Sequence, residues 1–201
     1  MPLVFYLIKE SNANRRYRVH IENGIPEEMK ADRIETKAVF LFPGEDRIWG
    51  GNLLYIDLIP ATSWFTNVRS ALSSREWNSL AGRIRERSNF KCEICSRVTK
   101  RAPDVHERWK YDIADGCYTQ RLMRLIALCT SCHGATHMGF AETIGRGDQM
   151  MRHMMRINRW SSIEFLEHRT KAFDVWHVRS QVKWDLDLSM LQSCGYNLSR
   201  E

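Results

Sequence analysis

The amino-acid sequence predicts an α+β fold in three parts: a β-rich region over residues 1–72, a central region over residues 73–145 and a helical extension over residues 146–201. Three observations support this division. The first part is rich in β-branched and aromatic residues between turn signals, the second contains two cysteine pairs, and the third repeats apolar residues at helical spacing. Hydrophobic residues make up 43% of the 201-residue chain and charged residues 27%, which is ordinary for a folded globular protein.

The first part contains four segments typical of strands. They are LVFYLI, RRYRVHI, KAVFLF and NLLYIDLI, punctuated by the turn sequences NG, PGED and GGN. We expect these segments to form hairpins. The apolar run from Leu3 to Ile8 is too short for a signal-peptide core or a membrane span. We therefore expect no membrane association and a cytoplasmic protein whose thiols stay reduced.

A helix is predicted at the start of the central region, in SSREWNSLAGRIRERS. Ser73 or Ser74 can serve as the N-cap, and Glu76 is placed to complete a capping box. Apolar residues then recur at helical spacing from Trp77 to Ile84. This helix leads directly into the first cysteine pair.

Two further helices are predicted in the third part. In GRGDQMMRHMMRIN, four methionines share one broad helical face with Ile157, and we assign them to the core rather than to a cofactor or partner groove. SSIEFLEHRTKAFDVWHVRS begins with serine caps and repeats apolar residues, so it is a second helix. WDLDLSML then alternates as a short strand or an extended tail does.

The two cysteine pairs are Cys92 with Cys95 and Cys129 with Cys132, separated by residues 96–128. A CxxC turn directs two thiolates to one point, and two such turns complete a tetrahedral zinc site. Two disulfides or a redox CxxC are the alternatives, but duplicated pairs in a reducing compartment favour structural Zn²⁺. The remaining thiols, Cys117 and Cys194, are expected to be ordinary.

Two histidines directly after the second pair, His133 and His137, are four residues apart and would share one face of a helix. They supply two ligands of a second metal site, although Gly134 weakens the helix prediction and the spacing arises often by chance. His106 and Glu107 are candidates for a third ligand. Because neighbouring residues of a strand face opposite sides, both could serve one site only through a kink or bulge. The alternative is a surface histidine beside an arginine-paired glutamate.

The positive charge of the chain is concentrated around the cysteines. Residues 68–125 hold 13 Lys and Arg against 7 Asp and Glu, while the rest of the chain is neutral and the net charge is +6. Phosphates release counterions to such residues, so the surplus suggests a polyanionic partner. A solvated surface that only aids solubility is the alternative.

These motifs resemble the HNH endonuclease superfamily. The resemblance rests on CEIC, on Val105-His106-Glu107 and on LCTSCH with a second histidine four residues later, and it covers Asn89 to Gly139. It implies a ββα-metal, treble-clef-like finger with a four-cysteine zinc knuckle. A longer resemblance to uncharacterised bacterial or phage proteins of HNH type runs through IPATSWFTNVRS, HERWKYD and AFDVWHVRS.

The resemblance also implies roles for individual residues. His106, His133 and His137 would bind a catalytic divalent metal, which could be Mg²⁺, Mn²⁺, Ni²⁺ or Zn²⁺, and Glu107 would be the general base. The implied reaction is DNA hydrolysis to 5′-phosphate and 3′-hydroxyl ends on double-stranded DNA, in a bacterial or phage-infected cell. The sequence departs from the family pattern twice, since Glu107 replaces the usual histidine and Arg124 the expected asparagine.

Several basic and aromatic residues are candidates for contacts with the nucleic acid. Arg108 is predicted to lie nearest the scissile phosphate. Trp109 and Tyr111 could stack on a base, although core packing is the favoured use. Trp64, Trp77 and Trp160 are assigned to the core. The residues predicted to bind nucleic-acid phosphates are Arg97, Lys100, Arg101, Arg108 and Lys110, with Arg83, Arg85, Arg87 and Lys91 flanking them.

The sequence thus predicts a metal-dependent DNA endonuclease of a restriction, defence or phage-processing kind. The second hypothesis is a catalytically inactive zinc-knuckle module that binds nucleic acid or a protein partner. A hydrolase of small substrates is a third, which the basic surplus disfavours. A protein partner, or a homodimer formed through the N- or C-terminal regions, is left open.

Overall fold

The computed structural model describes residues 42–98 and 101–198, together with two short strands, β1 (Tyr6–Leu7) and β2 (Val19–His20). The chain divides into two compact units, residues 1–41 and 42–201. In the first unit, β1 and β2 pair in antiparallel orientation. Most of the predicted segments LVFYLI, RRYRVHI and KAVFLF lies outside the described residues.

The second unit combines helices with a three-stranded sheet, so the predicted α+β class is confirmed. Its strands are β3 (Asp104–Ala114), β4 (Cys117–Leu128) and β5 (Asp185–Asp187). Its helices are a 3-10 turn (Ala61–Ser63), α1 (Val68–Ala71), α2 (Ser74–Arg87), α3 (Thr130–Thr136), α4 (Met138–Thr143), α5 (Gly147–Asn158), α6 (Ser162–Arg179) and α7 (Ser189–Gln192). Among the described residues, no helix has the length and apolar character to cross a membrane.

A long hairpin of β3 and β4 dominates the sheet. Its turn residues Asp115 and Gly116 have φ of 51° and 77°, which matches the positive angles that an Asp-Gly hairpin turn requires. The pairing register shifts between Arg108 and Trp109, whose partners are Arg124 and Leu122, so Met123 is an extra residue that forms a bulge in β4. Strand β5 pairs with β4 in parallel, which confirms the short strand predicted in WDLDLSML.

Helix α2 follows its sequence prediction closely. The Ser73 side chain accepts a hydrogen bond from the Glu76 backbone N–H, and the Glu76 carboxylate accepts one from the Ser73 N–H at 3.1 Å. This capping box satisfies N–H groups that have no partner within the helix. The apolar face buries Leu80 and Ile84 completely.

Helices α5 and α6 are also present, and the methionines of α5 line the core. Met150 and Met154 are buried in one cluster with Leu54 and Cys132. Trp160 packs against the same cluster. Assigning these methionines and Trp160 to the core is therefore correct.

The segment NLLYIDLI is not a strand, which corrects the sequence prediction. Its backbone instead hydrogen-bonds to helix residues: Leu54 exchanges two bonds with the Asn158 side chain, and the Ile56 N–H donates to His168 Nε2 at 2.9 Å. Leu54 and Ile56 both point into the core. The alternating pattern therefore predicted correctly which residues are buried. The side chains of Asn158 and His168, and not a neighbouring strand, form hydrogen bonds with the backbone of this segment.

Candidate functional site

Four cysteine thiols meet where the CEIC turn lies against the start of α3. All four sulfur atoms lie within 4.8 Å of one another, and Cys95 Sγ is 3.7 Å from Cys129 Sγ. A tetrahedral site with Zn–S bonds of about 2.3 Å has edges of about 3.8 Å. None of the six cysteines is in a disulfide. The four cysteines can therefore hold a structural metal ion such as zinc, as the spacing predicted.

Hydrogen bonds to β4 hold the first cysteine pair in place. The Glu93 N–H donates to the Ala127 carbonyl at 2.9 Å, and the Glu93 carboxylate accepts from the Ala127 N–H at 2.7 Å. Ser96 adopts a positive φ of 59°, which closes the turn after Cys95. The second pair starts α3, since Cys129 Sγ accepts from the Cys132 N–H. Contacts with β4 thus position the turn that carries the first pair, and the start of α3 positions the second.

The thiols compete for protons because they lie so close together. A hydrogen bond from Cys132, and a second from Cys92, lowers the pKa of Cys129. The same bonding to Cys129 raises the pKa of Cys92 to about 11 and also raises the pKa of Cys132. Four thiolates can coexist at this spacing only with a cation, which is the chemistry of a zinc knuckle.

Three histidines form a second cluster directly beside the first. His106 comes from β3, His133 from α3, and His137 from the junction of α3 and α4. One ring nitrogen of each lies within 4.8 Å of the other two, and the Nε2 atoms of His133 and His137 are 3.1 Å apart. The structure thus brings together the three histidines that the sequence proposed as ligands of one metal.

The local fold explains why these two helix histidines converge. His137 leaves the helical conformation with φ of −90° and ψ of 49°, so α3 ends there and α4 begins. A Cβ atom on Gly134 would lie 2.9 Å from Met150 Sδ. Glycine at this position therefore allows α3 to pack closely on α5, although it lowers helix propensity.

Two carboxylates that sequence reasoning did not select lie next to the histidines. Asp104 Oδ2 is 3.3 Å from His133 Nδ1, and Asp57 Oδ2 is 3.7 Å from His106 Nε2. A carboxylate in the position of Asp104 can fix the ring orientation of a metal-binding histidine, whereas the buried His106 Nε2 has no hydrogen-bond partner among the described residues. Asp104 could have been found from the sequence, since it precedes His106 by two residues and shares its face of β3. Asp57 lies on a segment far away in the chain, and no sequence pattern connects it with the histidines.

Burial favours the neutral forms of His133 and His137. It lowers the pKa of His133, and it lowers the pKa of His137 to about 3, with the charge of His106 contributing second in both cases. Neutral imidazole is the form that binds metal ions. These two side chains are therefore in the form that can bind a cation.

Glu107 lies apart from the histidine cluster, because strand alternation turns its side chain toward α1. Its Oε1 accepts a hydrogen bond from the Val68 N–H at 3.0 Å. Burial raises the pKa of this carboxyl group, with the neighbouring His106 as the largest opposing influence. The bulge lies in β4, at Met123, so β3 alternates without interruption and Glu107 faces away from His106. Glu107 nevertheless lines the same cleft as the histidines.

Arg108 is 3% exposed, and its guanidinium stacks on the Tyr55 ring. Its donors bind the backbone carbonyls of Trp49, Gly51 and Leu53. Arg124, at the position of the expected asparagine, also donates to the Gly51 carbonyl and contacts Glu93. Both arginines therefore hold the loop that precedes residue 54.

Other basic residues predicted to bind phosphates are also engaged within the protein. The buried Arg87 forms two hydrogen bonds with Glu45, at 2.6 and 2.7 Å. Arg85 donates to the Pro103 carbonyl, and Lys110 pairs with Asp112 at 2.8 Å. The positions of Arg97, Lys91 and Arg101 are on the surface, while Lys100 lies outside the described residues.

A cleft of about 800 Å³ opens beside the histidines. Trp64, at 61% exposed, and Phe140, at 60%, are among its lining residues, so assigning Trp64 to the core is wrong. Arg69 and Arg146 also line the cleft, and so do Trp77 and Trp109. Tyr111 packs edge-on against Trp184, as a core residue does. The site thus combines candidate metal ligands, cations and aromatic rings in one concavity.

Comparison of the chain with protein-family models, curated proteins and solved structures finds no match.

Proposed function

We propose that the protein is a metal-dependent endonuclease that hydrolyses DNA phosphodiester bonds through an HNH-type site. The observation that carries the proposal is the convergence of His106, His133 and His137 at a cleft, one residue away from a four-cysteine cluster. The order of β3, β4 and α3, with ligands on β3 and α3, supports a ββα-metal finger.

Two metals with different tasks follow from the two ligand sets. Four thiolates close a zinc site, which leaves no position for substrate. Three histidines leave positions open, as catalytic metal sites do. A divalent ion there, Mg²⁺, Mn²⁺, Ni²⁺ or Zn²⁺, would supply Lewis acidity toward the phosphate and the leaving oxygen.

The protein's own side chains would orient and activate the reactants. Asp104 lies 3.3 Å from His133 Nδ1 and would orient this ligand. Glu107 is the candidate general base, which would take a proton from the attacking water. Burial raises the pKa of this carboxyl group, whereas a divalent cation bound by the histidines would lower it. The Val68 N–H fixes its orientation, a task that the family assigns to the asparagine replaced by Arg124.

Arg108 has no part in phosphate binding under this proposal, because its donors face protein carbonyls. Arg69 and Arg146 replace it, since both line the cleft and both are exposed. Phosphate contacts of this kind position a substrate without reading its sequence.

The test is the cleavage of supercoiled plasmid and of single-stranded circular DNA in Mg²⁺, Mn²⁺ or Ni²⁺. Wild type is compared with His106→Ala, His137→Ala and Glu107→Ala, and with the control His177→Ala, an exposed histidine of α6 outside the cleft. We expect cleavage by wild type and the control, and a loss of roughly 100-fold or more in the other variants. Equal cleavage by all five proteins would exclude the proposed site.

The second candidate is a catalytically inactive zinc-knuckle module that binds nucleic acid or a protein. The observation in its favour is that the Glu107 carboxylate is already bonded to the backbone of α1. A wild-type protein that shifts DNA on a gel without cutting it in any of the three metals would support this module over the nuclease.

A further inference from the structure

The cleft beside the histidines has a surface that a DNA backbone alone would not fill. Trp64 and Phe140 expose more than half of their surfaces at its wall. Concavities of 300 to 1,000 Å³ typically bind small organic groups through apolar and aromatic contacts. The cleft measures about 800 Å³, so an organic ring can enter it. In a duplex the bases are stacked inside the helix, and none is available for such a cleft.

The charges of the cleft favour an anion attached to that ring. Arg69 and Arg146 line it, and Glu107 is its only acidic lining residue among those described. Since Glu107 faces the N–H of Val68, the exposed charges of the cleft are cationic. An apolar wall next to cations and metal ligands is complementary to a nucleotide with an accessible base.

The basic residues that were expected to contact a duplex also argue against a duplex substrate. Arg87 is buried against Glu45, Arg108 is buried against carbonyls, and Lys110 is paired with Asp112. Three of the cationic residues expected to bind the phosphates of a duplex are therefore engaged within the protein. The cations at the cleft are unaffected by these pairings.

We propose, on the basis of the proposed nuclease function, that the substrate is an unpaired stretch of DNA, whose base next to the scissile phosphate enters the cleft and stacks on Trp64 or Phe140. The phosphate then lies toward the histidines, with Arg69 and Arg146 near the flanking phosphates. The aromatic rings bind any base, because every base has a face that can stack.

The experiment measures binding without added divalent cation, so that no strand is cut. Fluorescence anisotropy compares a short labelled single strand, a hairpin duplex of the same sequence and a single strand with abasic sites. Trp64→Ala and Phe140→Ala are tested beside Ile163→Ala, a control that is 68% exposed and lies outside the cleft. Thermal melting verifies that each variant is folded.

We expect wild type to bind the normal single strand more tightly than the duplex or the abasic strand. At least one of Trp64→Ala and Phe140→Ala should weaken binding of the normal strand by about 5- to 100-fold and leave the abasic strand unaffected. Ile163→Ala should match wild type. Arg69→Gln should lower the slope of log affinity against log salt concentration by about 0.7.

Duplex binding equal to single-strand binding, or two aromatic variants indistinguishable from Ile163→Ala, would overturn the inference. The experiments distinguish a failure of this inference from a failure of the proposed nuclease function. If duplex DNA is cleaved and the cleavage does not depend on Trp64 or Phe140, the nuclease proposal stands and the proposal of an unpaired substrate is wrong. Tight, Trp64-dependent binding of a strand that no metal causes to be cut removes the nuclease and retains the binding site.

Discussion

Cys132 and His133 are consecutive residues of α3, yet they belong to different candidate metal sites. Successive side chains on an α-helix point about 100° apart. One turn of helix therefore presents a thiol toward the CEIC turn and an imidazole toward β3. The same placement makes the geometry of the histidine site depend on the cysteine site.

Replacing Asp104 by asparagine is expected to weaken metal binding at the histidine cluster by about 10- to 100-fold, because the carboxylate that orients His133 is removed. Titration calorimetry with Mn²⁺ or Ni²⁺ measures this affinity. Asp112→Asn, which removes a carboxylate paired with Lys110 on the same strand, is the matched control. Equal affinities of the two variants would show that Asp104 does not orient a ligand.

Residue identities alone predicted the metal ligands better than they predicted the interaction partners of charged residues. The cysteines and histidines were predictable because ligand spacing follows from local turn and helix geometry. The partners of Arg87 and Arg108 were not, since both depend on carbonyls or carboxylates that lie far away in the chain. The role of Glu107 was ambiguous for the same reason, because its partner is the backbone of α1.

At the scale of elements, α6 anchors the extended segment at residues 53–57 through His168. Its Nε2 accepts the Ile56 N–H at 2.9 Å, so the ring must be neutral there. Burial lowers the pKa of His168, with the charge of Lys171 contributing second. This contact therefore contributes stability above pH of about 6.5, the unfolded value, and loses it as pH falls through the folded pKa.

The variant His168→Gln keeps an acceptor for the Ile56 N–H but does not titrate. We expect its free energy of unfolding to fall less than that of wild type as pH decreases below about 6.5. Urea denaturation at several pH values measures the difference. His177→Gln, at an exposed position of the same helix, should follow the wild-type profile. Parallel profiles for wild type and His168→Gln would contradict the assignment.

Elements were predictable where their signals are local. The α2 capping box was predicted from residues within one turn of each other, and the Asp-Gly hairpin turn, which was not predicted, has an equally local signal. NLLYIDLI was misassigned because its hydrogen-bond partners, Asn158 and His168, come from helices about 100 residues later. Alternation of apolar residues reports which side chains are buried, and it does not identify the group that satisfies the backbone.

For the whole molecule, the four-cysteine cluster connects the main structural parts of the second unit. Cys92, Cys129 and Cys132 belong to the same buried cluster as Met150 and Phe165. Metal bound there would therefore stabilise α3, α5 and α6 together as well as the CEIC turn. The α+β class followed from composition and periodicity, whereas this shared core depends on tertiary packing.

Removal of zinc is expected to lower the melting temperature by at least about 10 °C, because metal binding to such sites contributes directly to folding. The purified protein should contain about one zinc ion per chain that resists mild chelation, and a second divalent site that exchanges readily. Elemental analysis and thermal melting check both. Cys92→Ser should behave like the zinc-free protein, and Cys117→Ser like wild type. A melting temperature insensitive to zinc removal would exclude a structural metal.

During folding, the β3–β4 hairpin joins residues that are close along the chain, since only Asp115 and Gly116 separate its paired ends. Hairpins of this kind form within about 1 to 10 μs. The parallel pairing of β4 with β5 instead joins Arg121 and Asp187, which are 66 residues apart. Contacts across such a long loop form later, because closing the loop costs entropy first. His106 therefore lies on a ribbon that is expected to form early, before the C-terminal strand covers its outer edge.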